Sequence, residues 1–241
     1  MKMIADGLAI EEAFECVLLD YIEYESSVFR LSLEGLIRGH SERNSNFFDN
    51  RRMINRSISN FLSSSRAYTD QIEKMSLTYK GIKAKTLSHE YDTNSVYPFA
   101  CKLRNYVQHY DVVIHKKRHG SFTLLEDFHS EGVSRPHNSS LELIIDKNRL
   151  METDVFSKKV LEPMPDEIFI TRTFRDYLGC LLRIHKTIRD EIKYYELCVE
   201  LSKSEIDDKS IDMRKVDALL GLIRKNYPVD IIQNTKMIGV K

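Results

Sequence analysis

The chain has 241 residues, enough for one large domain or two small ones. Apolar residues make up 42% and charged residues 30%, the composition of a globular protein that can bury a core. Its 36 basic and 36 acidic side chains balance, which excludes a generally cationic nucleic-acid binder and confines any such contact to a local patch.

Asp6, Glu11, Glu12 and Glu15 interrupt the first twenty positions, unlike the uncharged core of a secretory leader. No run approaches the roughly 18 uncharged apolar residues of a membrane helix, so no membrane association is expected. Cys16, Cys101, Cys180 and Cys198 are far apart and form no Cys-x-x-Cys pair. They read as buried, reduced thiols of a cytoplasmic protein rather than as disulfides or metal ligands.

The first segment, from about Ile10 to Arg38, repeats apolar residues at steps of three and four: Ile10, Phe14, Val17, Leu18, Tyr21, Tyr24, Val28, Leu31 and Leu36. That spacing predicts an amphipathic helix, with Gly39 as its stop. From Phe47 to Met75, the residues Ile54, Ile58, Phe61, Ser65, Tyr68, Ile72 and Met75 form a heptad seam with one polar gap, read as packing within a bundle. Lys80 to Thr93 has no clean period and reads as a connection. Thr93, Asn94 and Ser95 are N-cap types, Pro98 falls in a tolerated first-turn position, and a helix from Val96 to Tyr110 follows.

Beyond it, Asp111 to His115 and Ser121 to Leu125 are short β-prone runs around a polar turn at Lys116 to Gly120, which together predict a hairpin. Leu141 to Ile145 is a third strand candidate, and Ser130 to Ser140 a loop. Helix returns near Lys147 to Val160 and is broken by Pro163 and Pro165. A long helix from Thr171 to Ser202 carries Phe174, Tyr177, Leu178, Leu181, Leu182, His185, Ile188, Ile192 and Tyr195 on one stripe. After a polar turn at Ser204 to Ser210, Ile211 to Lys225 is a last amphipathic helix before a tail from Pro228. The predicted fold class is mainly α: one helical-bundle domain of long antiparallel helices over residues 1–241, with a small β-hairpin insertion at about 111–146.

On a wheel of about 100° per residue, Phe99, Leu103, Tyr106, Val107 and Tyr110 form the apolar stripe of the Val96–Tyr110 helix. Arg104, Asn105, Gln108 and His109 fall on the other side. Asn105 and His109 are four apart, as are Arg104 and Gln108, so each pair is adjacent on the surface. Arg offers a planar fork of donors suited to phosphate, and His can give or take a proton near neutral pH. Such a face can equally be a solvated helix surface.

An Arg, a polar residue directly after it and a His a few residues on, late in a helix of an all-α bundle, resembles the motif of the HEPN superfamily. Here it reads Arg104-Asn105-Tyr106-Val107-Gln108-His109. The motif covers one helix. The layout of a motif helix, a strand-like insert and a long helix also looks like uncharacterised bacterial HEPN-like proteins over roughly Ile10 to Ser202. The resemblance implies a metal-independent endoribonuclease without cofactor, acting as a toxin or antiviral defence effector. RNA would be its substrate, and the 2′-hydroxyl would be the nucleophile. His109 would act as general base or acid, Arg104 would stabilise charge on the phosphate, and Asn105 would orient either. It further implies a homodimer through the motif face and an antitoxin or sensor protein as partner. The chain departs from antitoxin-paired members in having Asp111 where a Tyr usually stands, so control by modification of that Tyr does not carry over.

Gln108 and Lys102 beside the motif are further substrate-binding candidates. So are Lys116, Lys117 and Arg118 in the basic run His115 to His119, read either as phosphate contacts or as a solvated hairpin tip. The eight His residues show no metal-ligand spacing; His129 and His137 fall in loops, and His185 reads as a hydrogen-bonded core residue. A helical module that binds a nucleotide or a partner protein without catalysis is the alternative reading.

Overall fold

The computed structural model describes residues 2–38, 47–79, 84–110, 112–122, 138–203 and 212–226. The expectations at Gly39, residues 123–137 (which include His129 and His137), 204–210 and the tail from Pro228 lie outside the described residues, as does Asp111. The described chain is a mainly helical bundle with a small antiparallel sheet. Its helices are α1 (Lys2–Arg38), α2 (Phe47–Thr78), α3 (Ala84–Thr93), α4 (Val96–His109), α5 (Lys147–Met151), α6 (Lys158–Leu161), α7 (Ile170–Ile192), α8 (Tyr194–Lys203) and α9 (Met213–Asn226). The strands are β1 (Lys116–Phe122), β2 (Asn138–Asp146) and β3 (Glu167–Phe169), in the order β1-β2-β3.

The heptad seam of α2 is buried at every position from Ile54 to Met75. Its polar gap is satisfied locally, because Ser65 Oγ donates to the Phe61 carbonyl at 2.6 Å. Phe61 then anchors the bundle: its ring lies 5.3 Å from Tyr21 of α1, 5.2 Å from Phe174 and 5.9 Å from Tyr177 of α7. Tyr97 of α4 joins the same cluster, 5.6 Å from Tyr177. These ring contacts fix the rotation of α4 about its axis, and truncating a fully buried ring of this kind costs about 3–5 kcal/mol. α1 leaves Leu19, Ile22, Phe29 and Leu33 exposed on its outer side. No described helix is long and apolar enough to cross a membrane.

The sheet differs from the predicted hairpin. The basic run is not a turn: Lys116–Phe122 is strand β1, paired antiparallel to β2 with Lys116 opposite Ile144 and Phe122 opposite Asn138. Val113 and Ile114, taken in the sequence for the first strand, are buried plugs at the end of α4, and the Val113 N–H donates to Asn55 Oδ1 of α2 at 3.0 Å. Lys116 and Arg118 tolerate strand geometry because they meet carboxylates across the sheet, which offsets the low β-propensity of a charged run. β3 was not anticipated; it is three residues long and pairs Ile145 of β2 with Ile168.

Three helix expectations also change. Residues 84–93 of the supposed connection are α3, held by the nearly buried Glu90, whose carboxylate takes both Arg183 Nε and Arg183 Nη2 at 2.8 Å. In place of one helix over 147–160 stand α5, capped by Asp146 Oδ1 accepting from Asn148 N at 3.1 Å, and the separate turn α6. The long C-terminal helix breaks at Lys193, which adopts a left-handed conformation with φ 55° and ψ 28°. A non-glycine residue rarely takes this conformation. The break turns Tyr194 against α1, where its hydroxyl reaches Glu11 and its ring covers Gly7.

Candidate functional site

The core side of α4 is Tyr97, Pro98, Phe99, Ala100, Leu103 and Tyr106, all buried. Phe99 stacks on Phe156 at 5.6 Å, and Tyr106 lies 6.1 Å from the same ring. The apolar stripe ends there: Val107 is half-buried and Tyr110, which the wheel places on that stripe, is 56% exposed. Lys102, Arg104 and Asn105 are half-buried, and Gln108 and His109 are exposed.

Arg104 Nη1 donates to Asn105 Oδ1 at 3.4 Å, a long bond, while Arg104 Nε is buried with no partner among the described residues. A buried unpaired N–H on a cation is costly in a folded protein, and an anion within reach removes that cost. No hydrogen bond ties the His109 ring to another described residue. Arg104 and Asn105 open into a cleft of about 600 Å³ between α2, α3 and α4. α2 contributes Arg66 and Glu73; α3 contributes Leu87, Ser88, Tyr91 and Asp92; α4 contributes Tyr97, Cys101, Lys102, Arg104 and Asn105. His109 and Gln108 are not part of this lining and stand one helical turn further along α4. The structure thus brings together Arg104, Asn105 and Lys102, and leaves His109 on the open surface beside them.

The basic run lies elsewhere and is largely engaged. Lys116 Nζ pairs with Asp146 at 2.9 Å and approaches Glu167 at 3.8 Å. Arg118 Nη2 pairs with Glu167 at 2.7 Å, and its guanidinium sits 5.9 Å from the Phe169 ring centre. The hydrogen bond from Lys116, helped by the Asn148 N–H, holds the Asp146 carboxyl below its ordinary range. Lys117 stands between them on β1, half-buried, and also has an interaction of its own. Lys116 and Arg118 therefore serve to pin the sheet.

Arg66, Tyr91 and Asp92 were not legible as site residues. Arg66 and Glu73 each follow a seam residue of α2 by one position, a spacing that could have flagged them as flanking the core. Tyr91 and Asp92 gave no signal once their segment read as a connection. Cys101 also lines the cleft, but burial pushes its thiol up to about 11, so it is a neutral wall there and not a nucleophile.

A second polar cluster lies in the core, centred on Glu11 and His185. Glu11 and His185 are fully buried, and the His185 ring stacks on Phe14 with centroids 3.8 Å apart. Glu11 accepts four donors: Arg189 Nε and Tyr194 Oη at Oε1, at 2.6 and 2.5 Å, and Arg189 Nη2 and His185 Nε2 at Oε2, at 2.6 and 3.3 Å. His185 Nδ1 takes the Tyr68 hydroxyl at 2.9 Å, so both ring nitrogens of a neutral imidazole are satisfied. Burial raises the Glu11 carboxyl, but the hydrogen bonds from Arg189 and His185 outweigh it and bring it down to about 2. Burial lowers His185, against the opposing pull of Glu11. This cluster ties α1, α2, α7 and α8 together and offers no route to a substrate, which agrees with the reading of His185 as a core residue.

The four cysteines are free, and among the described residues no group of three or more His, Cys, Asp and Glu side chains is placed to hold a metal ion. Comparison of the chain with protein-family models, with curated proteins and with solved structures finds no match, so the site stands on its own geometry.

Proposed function

We propose that the chain is a HEPN-type endoribonuclease that cleaves RNA through attack of the 2′-hydroxyl on the adjacent phosphate. The observation that carries the reading is a half-buried, partly unsatisfied Arg104 and an open His109 five residues apart on one helix. RNA holds its own nucleophile, so the protein has to supply charge stabilisation and proton transfer. Arg104 meets the non-bridging phosphate oxygens through the solvent-facing end of its guanidinium. Asn105, already bonded to Arg104, holds the guanidinium fork in place. His109 takes the 2′-hydroxyl proton or returns a proton to the leaving 5′-oxygen, and a second copy of the motif face across a shared dimer cleft provides the complementary group. A role as toxin or defence effector, under an antitoxin or sensor protein, extends the same reading.

One observation favours a second reading. The cleft takes in Arg104 and Asn105 but not His109, so a nucleotide held there need not meet the imidazole. The chain would then be a helical module that binds a nucleotide without cleaving it. Incubating the purified protein with RNA in excess EDTA separates the two. The first reading expects cleavage that His109→Ala and Arg104→Ala each abolish with circular dichroism unchanged. An intact substrate with the wild-type protein, or undiminished cleavage by both variants, refutes it.

A further inference from the structure

The α2–α3–α4 cleft contains more than the motif uses. Its cations are Arg66, Lys102 and Arg104, and Glu73 and Asp92 line the same space. Arg66 already has an ion-pair partner, Asp70 at 2.7 Å, whereas Lys102 has none among the described residues. With Arg66 neutralised by Asp70, Lys102 and Arg104 face Glu73 and Asp92, a poor seat for a polyphosphate, whose second and third phosphates would meet like charge. These side chains suit a ligand that carries one phosphate next to N–H and O–H donors, as a nucleotide does.

The cleft also presents an aromatic surface. Tyr91 is 43% exposed, and its ring meets Tyr97 edge-on, with centroids 6.4 Å apart and planes at 76°. Tyr97 is buried and in turn packs on Tyr177 at 5.6 Å. An open ring braced by a buried one forms a platform on which an unpaired base stacks, the usual way in which proteins hold single-stranded RNA. A volume of about 600 Å³ lies within the range of small-molecule sites and accommodates one nucleotide. β1 offers a weaker seat, because Lys116 and Arg118 are paired to carboxylates.

We infer that this cleft binds one unpaired nucleotide of a single-stranded RNA, with the base on Tyr91 and the phosphate at Lys102 and Arg104. The inference rests on the ribonuclease reading and deepens it: the strand enters at Tyr91 and runs along α4 towards His109.

The probe is a fluorescein-labelled hexa-adenylate with every 2′-hydroxyl methylated, which cannot be cleaved by the proposed route, and the readout is fluorescence anisotropy. Tyr91→Ala weakens binding about tenfold, the size of one lost base stack, and Tyr91→Trp retains it. An abasic oligomer of equal charge binds the wild type as weakly as the hexa-adenylate binds Tyr91→Ala. Wild-type affinity in a Tyr91→Ala protein of unchanged melting temperature overturns the inference. So does equal binding of the abasic and full oligomers, or no binding by the wild type. Cleavage of unmodified RNA is scored separately. A His109→Ala protein that still cleaves refutes the catalytic reading and leaves the binding result standing. Lost cleavage in His109→Ala beside unchanged binding in Tyr91→Ala refutes the nucleotide cleft and leaves the motif.

Discussion

Replacing Glu11 by Gln alters one group at the centre of the bundle, and its cost follows from counting donors. Four donors converge on the Glu11 carboxylate, which has acceptor sites for all of them. A Gln amide keeps one oxygen and turns an N–H₂ toward two of those donors, while the Arg189 cation loses its counter-charge. Breaking a buried pair in this way costs about 3–5 kcal/mol near neutral pH. Part of that cost depends on pH. The folded-state value of about 2 lies below the ordinary 4.5, so the ionised carboxylate stabilises the fold above pH 4.5 and loses that effect as pH falls towards 2. The linked contribution is about 3 kcal/mol at pH 6 and about 1 kcal/mol at pH 3. His185 acts in the same direction: its folded value is depressed below 6.5, so protonation favours the unfolded chain once pH drops below that value. Urea unfolding followed by circular dichroism, at pH 6 and pH 3, measures both effects. The wild type loses stability on acidification more steeply than Glu11→Gln, by about 2 kcal/mol over this range. Parallel slopes for the two proteins would show that Glu11 is not held as an ionised, four-bonded carboxylate.

The neighbouring Gly7 is constrained by the same cluster. A Cβ there would stand 2.9 Å from Tyr194 Cγ, and the ring cannot retreat without losing its bond to Glu11. Gly7→Ala therefore destabilises by about 1–3 kcal/mol despite its better helix propensity, and a thermal melt that rises instead contradicts the packing at α8. Thiol labelling tests burial at the cleft wall. With a disulfide reagent at pH 8, Cys16 reacts first because it is exposed; Cys101, half-buried on the cleft wall with its thiol pushed up by burial to about 11, reacts slowly; and the buried Cys180, pushed up to about 12, follows only on unfolding. Rapid modification of Cys101 in the native protein refutes the described cleft wall.

The parts of the fold legible in the sequence are those where packing and local periodicity agree. The α2 seam from Ile54 to Met75 and the core side of α4 from Phe99 to Tyr106 are examples: each apolar step of three or four falls on a buried position. Where a tertiary contact overrides the local pattern, the sequence misleads. α3 is held against α7 by Glu90 meeting Arg183, which lies 93 residues away. The break at Lys193 is favoured by nothing in its own neighbourhood and is stabilised by Tyr194 reaching Glu11 on another helix. A charged run became β1 because its counter-charges lie on the same sheet, Asp146 on the adjacent β2 and Glu167 on β3 beyond it. The site was legible to the same extent. Arg104, Asn105 and His109 lie on one local helix and could be placed by their spacing alone, whereas Arg66 and Tyr91 come from other helices and enter only through the packing of α2 and α3 against α4.

In the proposed reaction Arg104 and His109 drive attack of the 2′-hydroxyl on its own phosphate. End-group analysis of the RNA fragments produced in EDTA tests it most directly. The wild type is expected to leave 5′-hydroxyl ends and 2′,3′-cyclic phosphate ends, His109→Ala to leave none, and positions whose 2′-hydroxyl is methylated to stay uncut. Fragments with 5′-phosphate ends, or cleavage beside a methylated 2′-oxygen, would contradict it.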